Sequence, residues 1–321
     1  MTLWGITRPA CATGFDIVVL GARGGIQDGN LSAYLVRPSG DARAILCDAG
    51  TVVAGLEAAS RHGAFHDLTR SPQIAPREAG IVLHDIIKGY LISHAHLDHI
   101  AGLVAVSPDD MPKPIYALPS VNRILARDIF NWRVWPNMGD RGPPPRLATY
   151  RYRDLVPGQR LPLDGTAMEV RAFPLSHGGV ESTAFLIESG GAAMVYLGDT
   201  GPDALEHGTR LQDLWRAVAP LARAHRLKGI IIECSWDNAR PDHLLFGHLT
   251  PRWLAATLSD LRSQSGGGTV LAGLPVLVSH VKYTLTGAPP AQVTIENELK
   301  AADRTGVHFI IAEQGMSLRF D

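Results

Sequence analysis

The heptapeptide Ser93-His94-Ala95-His96-Leu97-Asp98-His99 follows an apolar run, Gly89 to Ile92, with the length and composition of a buried strand. Side chains alternate faces along a strand, so His94 and His96 point the same way. The turn beyond the strand end then carries Asp98 and His99 round to a second point a few ångströms away. Four ligand-type side chains inside six residues suit a pair of metal ions about 3.5–4 Å apart. The competing reading is a surface loop that happens to hold three histidines. It is disfavoured because remote partners of the same chemistry stand at comparable strand ends.

Those partners are His177 in Pro174-Leu175-Ser176-His177-Gly178-Gly179, Asp199 in Tyr196-Leu197-Gly198-Asp199-Thr200, and His280 closing Leu277-Val278-Ser279-His280. Each follows a buried strand and occupies its C-terminal edge. In the first half, further strands are expected at Phe15 to Leu20, Asn30 to Val36 and Ala44 to Asp48. Helices are expected around Val52 to His62, over Ile81 to Lys88 and from Asp98 to Val106. The second half reads as strands at Met168 to Phe173, Ser182 to Glu188, Ala193 to Leu197, Gly229 to Glu233 and Val276 to Ser279. Its helices are expected at Leu211 to Arg226, Pro251 to Ser263 and Glu296 to Thr305. Trp132 to Pro145, rich in Pro, Gly and Trp, reads as an irregular wall or cap, and Ser265 to Thr269 as a loop. Strand-rich halves with peripheral helices predict two sheets face to face, covered by helices.

Bulk properties narrow the partners. The chain has 321 residues with 45% hydrophobic and 19% charged, ordinary for a globular protein with a sizeable core. A formal net charge of −1 with no basic run counts against a long polyanion as substrate. Cys11, Cys47 and Cys234 are too few and too scattered for a disulfide framework, and Cys47 and Cys234 read as buried, inert thiols. No signal peptide is visible in Met1 to Thr13 and no apolar run is long enough to span a membrane. A cytoplasmic location is expected, or an exported one if a leader has been removed.

The run His94 to Pro108, HAHLDHIAGLVAVSP, closely resembles the signature of class II cyclic-nucleotide phosphodiesterases, a branch of the metallo-β-lactamase superfamily. The likeness continues in GGIQDGNLSAYLV (24–36), VWPN (134–137), SHGG (176–179), STAFLI (182–187), LGDTG (197–201), IIECSW (231–236), GHLTP (247–251) and VSHVK (278–282). The resemblance implies one catalytic domain over 1–321, with 1–13 a flexible segment and 130–148 a possible active-site cap. Its fold would be α/β, a four-layer αββα sandwich. It further implies that His94, His96 and His177 bind one metal, that Asp98, His99 and His280 bind the other, and that Asp199 bridges them. Mixed imidazole and carboxylate donors favour zinc, with manganese or iron tolerated. A homodimer is compatible with the family.

In such a site a water between the metals loses its proton near neutral pH and becomes the nucleophile. Asp98 helps to position it. The leaving alkoxide needs a proton, and His248, oriented by Glu233 at the end of the strand Gly229 to Glu233, is the candidate acid. This pair is similar to the Glu–His pair of the tRNA 3′-processing branch. The alternative is a supporting role for Glu233 and a helix-start role for His248. Gly24, Gly25 and Asn30 are expected to form a turn that lets substrate approach. Trp135 and Asn137, with Trp132, would wall a base pocket, although core packing suits either tryptophan equally. His84 and His243 read as surface or structural residues. The activity implied is opening of the 3′ bond of 3′,5′-cyclic AMP, and of cyclic GMP, to the 5′-monophosphate, with no polymeric nucleic acid and no membrane involved. Rival readings are a tRNA 3′-processing enzyme or lactonase of the same fold, and a metal-binding protein without catalysis.

Overall fold

A computed structural model describes residues 13–69, 75–286 and 291–321. Cys11 and nearly all of the 1–13 segment lie outside the described residues. Two seven-stranded mixed sheets form the centre. The first runs, in spatial order, Ser317–Phe320, Phe15–Gly21, Ala33–Pro38, Ala44–Cys47, Ile87–Leu91, Lys113–Ala117 and Tyr150–Asp154. The second runs His308–Ile311, Pro275–Ser279, Leu227–Glu233, Ala192–Leu197, Val180–Ser189, Glu169–His177 and Arg160–Pro162. In each sheet, antiparallel hairpin strands give way to parallel strands joined through helices.

Alternation along the strands explains why both sheets are buried on both faces. Phe185, Ile187, Met194, Tyr196, Ile231 and Leu277 join the first sheet's residues in a core between the sheets. Their neighbours Ala184, Leu186, Val195, Ile230, Ile232 and Val278 face the other way. There they pack under the helices Arg210–Arg223 and Pro251–Gln264 through Leu214, Trp215, Leu254 and Leu258. Strands covered twice read as nearly continuous apolar runs, as GIIIE and AAMVYL do. The αββα expectation is met.

Several boundaries move. The helix expected over Ile81 to Lys88 is an α-helix at Ala75–Ile81 that widens to a π-turn at Val82–Ile86, and the strand begins at Ile87. Val82, Leu83 and Ile86 are all buried there, so tertiary packing rather than local periodicity sets the junction. The strand expected from Asn30 starts at Ala33, and the last helix spans Ala291–Ala302 rather than Glu296 to Thr305. Trp132 to Pro145 is irregular as expected, preceded by a helix at Pro119–Ile124 and a π-turn at Leu125–Ile129. Among the described residues no helix is long and apolar enough to cross a membrane.

Candidate metal centre

All the candidate metal ligands stand at C-terminal strand ends on one edge of the two sheets. His94, His96, Asp98 and His99 follow Ile87–Leu91, with Asp98 and His99 inside the helix Leu97–Val106. His177 ends Glu169–His177, Asp199 follows Ala192–Leu197, and His280 follows Pro275–Ser279. The two edges meet closely: a Cβ on Gly198 would lie 2.3 Å from Ser93 Cβ, so the residue before Asp199 has to be bare.

Asp199 is at the middle. Its Oδ1 lies 3.3 Å from His99 Nε2, and its Oδ2 lies 3.2 Å from His280, 3.7 Å from His177 and 3.9 Å from His94, each at Nε2. His177 Nε2 is 3.3 Å from His96 Nδ1, and His280 Nε2 is 3.2 Å from Asp98 Oδ2. Donor atoms about 2.0–2.2 Å from a common tetrahedral ion would stand about 3.3–3.6 Å from each other, so this spacing fits shared cations. Two further observations support the fit. His94 Nε2 and His99 Nε2 are buried without a hydrogen-bond partner, which a buried nitrogen rarely tolerates. Burial, reinforced by His99 beside it, also holds the His94 ring well below its ordinary pKa, leaving it neutral with a lone pair free. At His99 burial again disfavours charge, but Asp199 and Asp48 outweigh it and attract a positive charge to the ring. The same side chains fall into two ligand groups, His94–His96–His177 and Asp98–His99–Asp199–His280, and His248 stands within the same reach of His177 with Asp199 and of Glu233 with His280.

Sequence reading missed the residues that hold these ligands still. Asp48 is fully buried, in the left-handed region at φ 52°, and its carboxylate accepts from Ser93 N–H (2.7 Å), Ser93 Oγ–H (2.6 Å), His99 Nδ1–H (2.6 Å) and Tyr196 Oη–H (2.5 Å). It thereby ties the first sheet's histidine loop to the second sheet's Tyr196. Its signal was present, an acid ending the buried run AILCD, in the same pattern as Asp199. Asp48→Ala is expected to weaken divalent-metal binding about 10–100-fold, because a ligand's hydrogen-bond partner fixes ring orientation. A chelator competition titration checks this, and unchanged affinity would refute the role. Ser235 is the second omission: its Oγ lies 2.7 Å from Glu233 Oε2, 3.1 Å from His248 Nδ1 and 2.9 Å from His280 Nδ1.

The expected Glu233–His248 contact forms. His248 Nδ1 is 2.8 Å from Glu233 Oε1, and Glu233 also accepts from the Thr200, Ser235 and Leu249 N–H groups. Burial opposes a charged His248, but the Glu233 carboxylate overrides it and raises the pKa. Burial likewise opposes the Glu233 charge, and the facing imidazole pulls its pKa down. The imidazolium form therefore has its Nδ1 proton on Glu233 and its Nε2 proton available. The ring stacks on His280 and meets His177 edge-on, at centroid distances of 5.3 and 4.7 Å.

The expected glycine turn does lie beside the candidate ligands, whereas Asn137 is placed away from any pocket among the described residues. Gly24 is bare because the His280 ring fills the space, 2.2 Å from where a Cβ would lie. Gly25, at φ 81°, donates its N–H to Asp98 Oδ2 at 2.8 Å. Asn30 Oδ1 accepts from Ala22 N–H, bracing the turn. These three residues act on the ligands and their loop. Asn137 is 0% exposed, with its amide spent on Arg141 O, Pro143 O and Gly139 N–H, so the base-pocket expectation gives way to a loop-building role. Trp135 packs on the core and donates to Ser107 Oγ. Trp132 is partly exposed and donates to Pro145 O. Cys47 and Cys234 are buried free thiols whose pKa burial pushes up, as inert residues should be.

Comparison with known proteins places this architecture. The family model described as class-II cAMP phosphodiesterases matches residues 16–315. A 3′,5′-cyclic-nucleotide phosphodiesterase of Aliivibrio fischeri is 47% identical over 95% of this chain and 93% of its own length. A probable 3′,5′-cyclic-nucleotide phosphodiesterase of Yersinia pestis is 41% identical over 95% of this chain and 89% of its own. Unliganded yeast PDE1 superposes with a TM-score of 0.82 at 24% identity, over 95% of this chain and 99% of that one. The short form of human tRNase Z shares the fold at a TM-score of 0.53 and 18% identity, over 95% and 99% of the two chains. With a family match spanning most of its length and relatives this similar, the chain belongs to the class-II cAMP phosphodiesterases.

Proposed function

We propose that this chain hydrolyses 3′,5′-cyclic AMP, and cyclic GMP with it, to the 5′-monophosphate. The observation that carries the reading is a ring of metal-ligand side chains around Asp199 with a Glu233–His248 pair at its side. The named activity of the Aliivibrio fischeri relative supports it. His94, His96 and His177 would hold one ion and Asp98, His99 and His280 the other, with Asp199 shared, and the donor set favours zinc. When bound, a pair of such ions supplies Lewis acidity toward phosphoryl oxygens and makes hydroxide accessible near neutral pH.

The chain's own residues do the rest. The Gly25 N–H and His280 fix Asp98, so one carboxylate oxygen keeps a constant direction. Lys282 Nζ, 3.8 Å from Asp98 Oδ2, adds positive charge where an anionic diester must settle. His248 gives its Nε2 proton to the 3′ oxygen as the P–O3′ bond breaks, and Glu233 retains the ring through Nδ1. Water adds to phosphorus, and the product is a 5′-monophosphate with a free 3′-hydroxyl.

Incubating the zinc-loaded protein with 3′,5′-cyclic AMP and separating the products should show 5′-AMP, abolished by EDTA and restored by zinc. A protein that cleaves a generic bis-aryl phosphodiester but leaves cyclic AMP intact would overturn the substrate assignment. EDTA-resistant turnover would overturn the metal assignment.

A further inference from the structure

We propose that the cleft flanking His177 is the nucleoside subsite, in which Phe246 is the stacking platform for the base and Glu206 the acceptor for the ribose 2′-hydroxyl. This rests on the cyclic-nucleotide reading above. Two adjoining cavities, of about 240 and 410 Å³, share Gly179 and Glu206 in their walls. The smaller is bounded by His177 itself, and the larger opens onto Phe246, Leu205, Pro202 and His243. The cleft adjoins the candidate centre through His177 alone and ends on an aromatic face, so a nucleotide with its phosphate at the centre would lay its sugar and then its base along it.

Phe246 combines two features that, among the described Phe, Tyr and Trp residues, only Trp132 shares, and Phe246 alone of the two lines this cleft. It is 65% exposed, and its backbone sits in the left-handed region at φ 52°, where a bulky side chain is strained. Strain of this kind persists where surrounding structure enforces it, and it concentrates at functional positions. Here the enforcement is visible. A Cβ on Gly247 would lie 2.1 Å from Gly178 N, and one on Gly178 would lie 2.9 Å from Phe246 O, so the two turns press backbone to backbone. Gly247 O also accepts from His177 Nδ1 at 2.7 Å. The same turn therefore orients a metal ligand and presents a bare aromatic ring beside it. A ring fixed to the metal centre in this way is a preorganised surface for a flat base.

Glu206 stands where the two cavities join. One carboxylate oxygen accepts from Gly178 N–H at 3.3 Å, and among the described residues the other has no protein partner. A carboxylate with a free oxygen beside the phosphate end suits a vicinal hydroxyl donor.

Steady-state kinetics on cyclic AMP and on methyl 4-nitrophenyl phosphate, which has no base, separates the roles. Phe246→Gly removes the ring yet suits the left-handed backbone, so a merely structural Phe246 predicts no loss. We expect Phe246→Gly and Phe246→Ala to raise KM for cyclic AMP roughly 5- to 100-fold, the worth of one base–aromatic stack. The small diester should be affected far less, and Phe246→Tyr should retain the low KM. Glu206→Gln should weaken cyclic AMP but add nothing to the weaker use of its 2′-deoxy analogue. An unchanged KM in Phe246→Gly, or an equal loss on both substrates, overturns the platform. Equal losses of Glu206→Gln on cyclic AMP and its 2′-deoxy analogue overturn the ribose contact. A wild-type protein inert toward cyclic AMP overturns the substrate reading together with this one.

Discussion

Asp199→Ala is expected to reduce cyclic-nucleotide turnover by at least about 10³-fold and to lower the bound metal well below that of the wild type, because on the proposed reading the ions would supply the nucleophile. The reason is positional. Asp199 is fully enclosed and lies within 3.9 Å of ring nitrogens from His94, His99, His177 and His280. Burial disfavours its charge, but His280 and His99 hold its pKa well below the carboxylate range. Removing that anion leaves imidazoles facing one another across a gap with nothing to draw a cation between them. Breaking a buried charged constellation by deleting one member is also destabilising, by about 3–5 kcal/mol. Metal analysis, turnover and thermal unfolding should be measured together. A variant that keeps both its metal and its rate would show that Asp199 is not the shared ligand.

His248→Ala should give the second largest effect, with a different signature. Turnover of cyclic AMP should fall on the order of 10²–10⁴-fold, the usual contribution of a positioned general acid. Metal content should stay near wild type, because the ring's Nδ1 is engaged by Glu233 at 2.8 Å rather than by the ligand set. A diester with a 4-nitrophenolate leaving group needs no protonation and should be slowed far less. Equal slowing of both substrates would remove the acid role. A fall in metal content would move His248 into the ligand set, where its 3.8 Å approach to Asp199 would acquire another meaning.

The cluster of candidate metal ligands was legible because their chemistry and their position in the chain repeat. Each is an imidazole or carboxylate directly after an apolar run, and one run carries four of them. Asp48 obeys the same rule, an acid ending the apolar run AILC, yet no separate signal in the sequence ties it to the histidine cluster it supports. Ser235 could not be singled out, since its importance comes from the meeting of Glu233, His248 and His280, which lie up to 47 residues apart (280 − 233). The loop around Trp135 and Asn137 misled for a physical reason: its Asn and Trp groups are polar on paper but are consumed by the loop's own backbone and by Ser107. The exposure of Phe246 was equally hidden, because it depends on two turns about 70 residues apart in sequence closing on each other. The sandwich itself followed from doubly buried strands, while the junction at Val82–Ile86 depended on packing that no local pattern encodes.

The close approach of the Gly198 backbone to the Ser93 side chain has a consequence for how this site can vary over evolutionary time. It locks the two strand edges together at one height, so insertions there would separate the ligands. The cleft beside His177 has Ser176, Val180 and Glu181 of the second sheet on one side, but its other walls, the short helix Asp203–Glu206 and the 3₁₀ turn Asp242–Leu244, carry no strand of either sheet. Those walls are free to lengthen, shorten or change composition while the ligand-bearing edge is inherited intact. Lineages that keep the edge and exchange the walls would diverge in what they accept long before they diverge in fold.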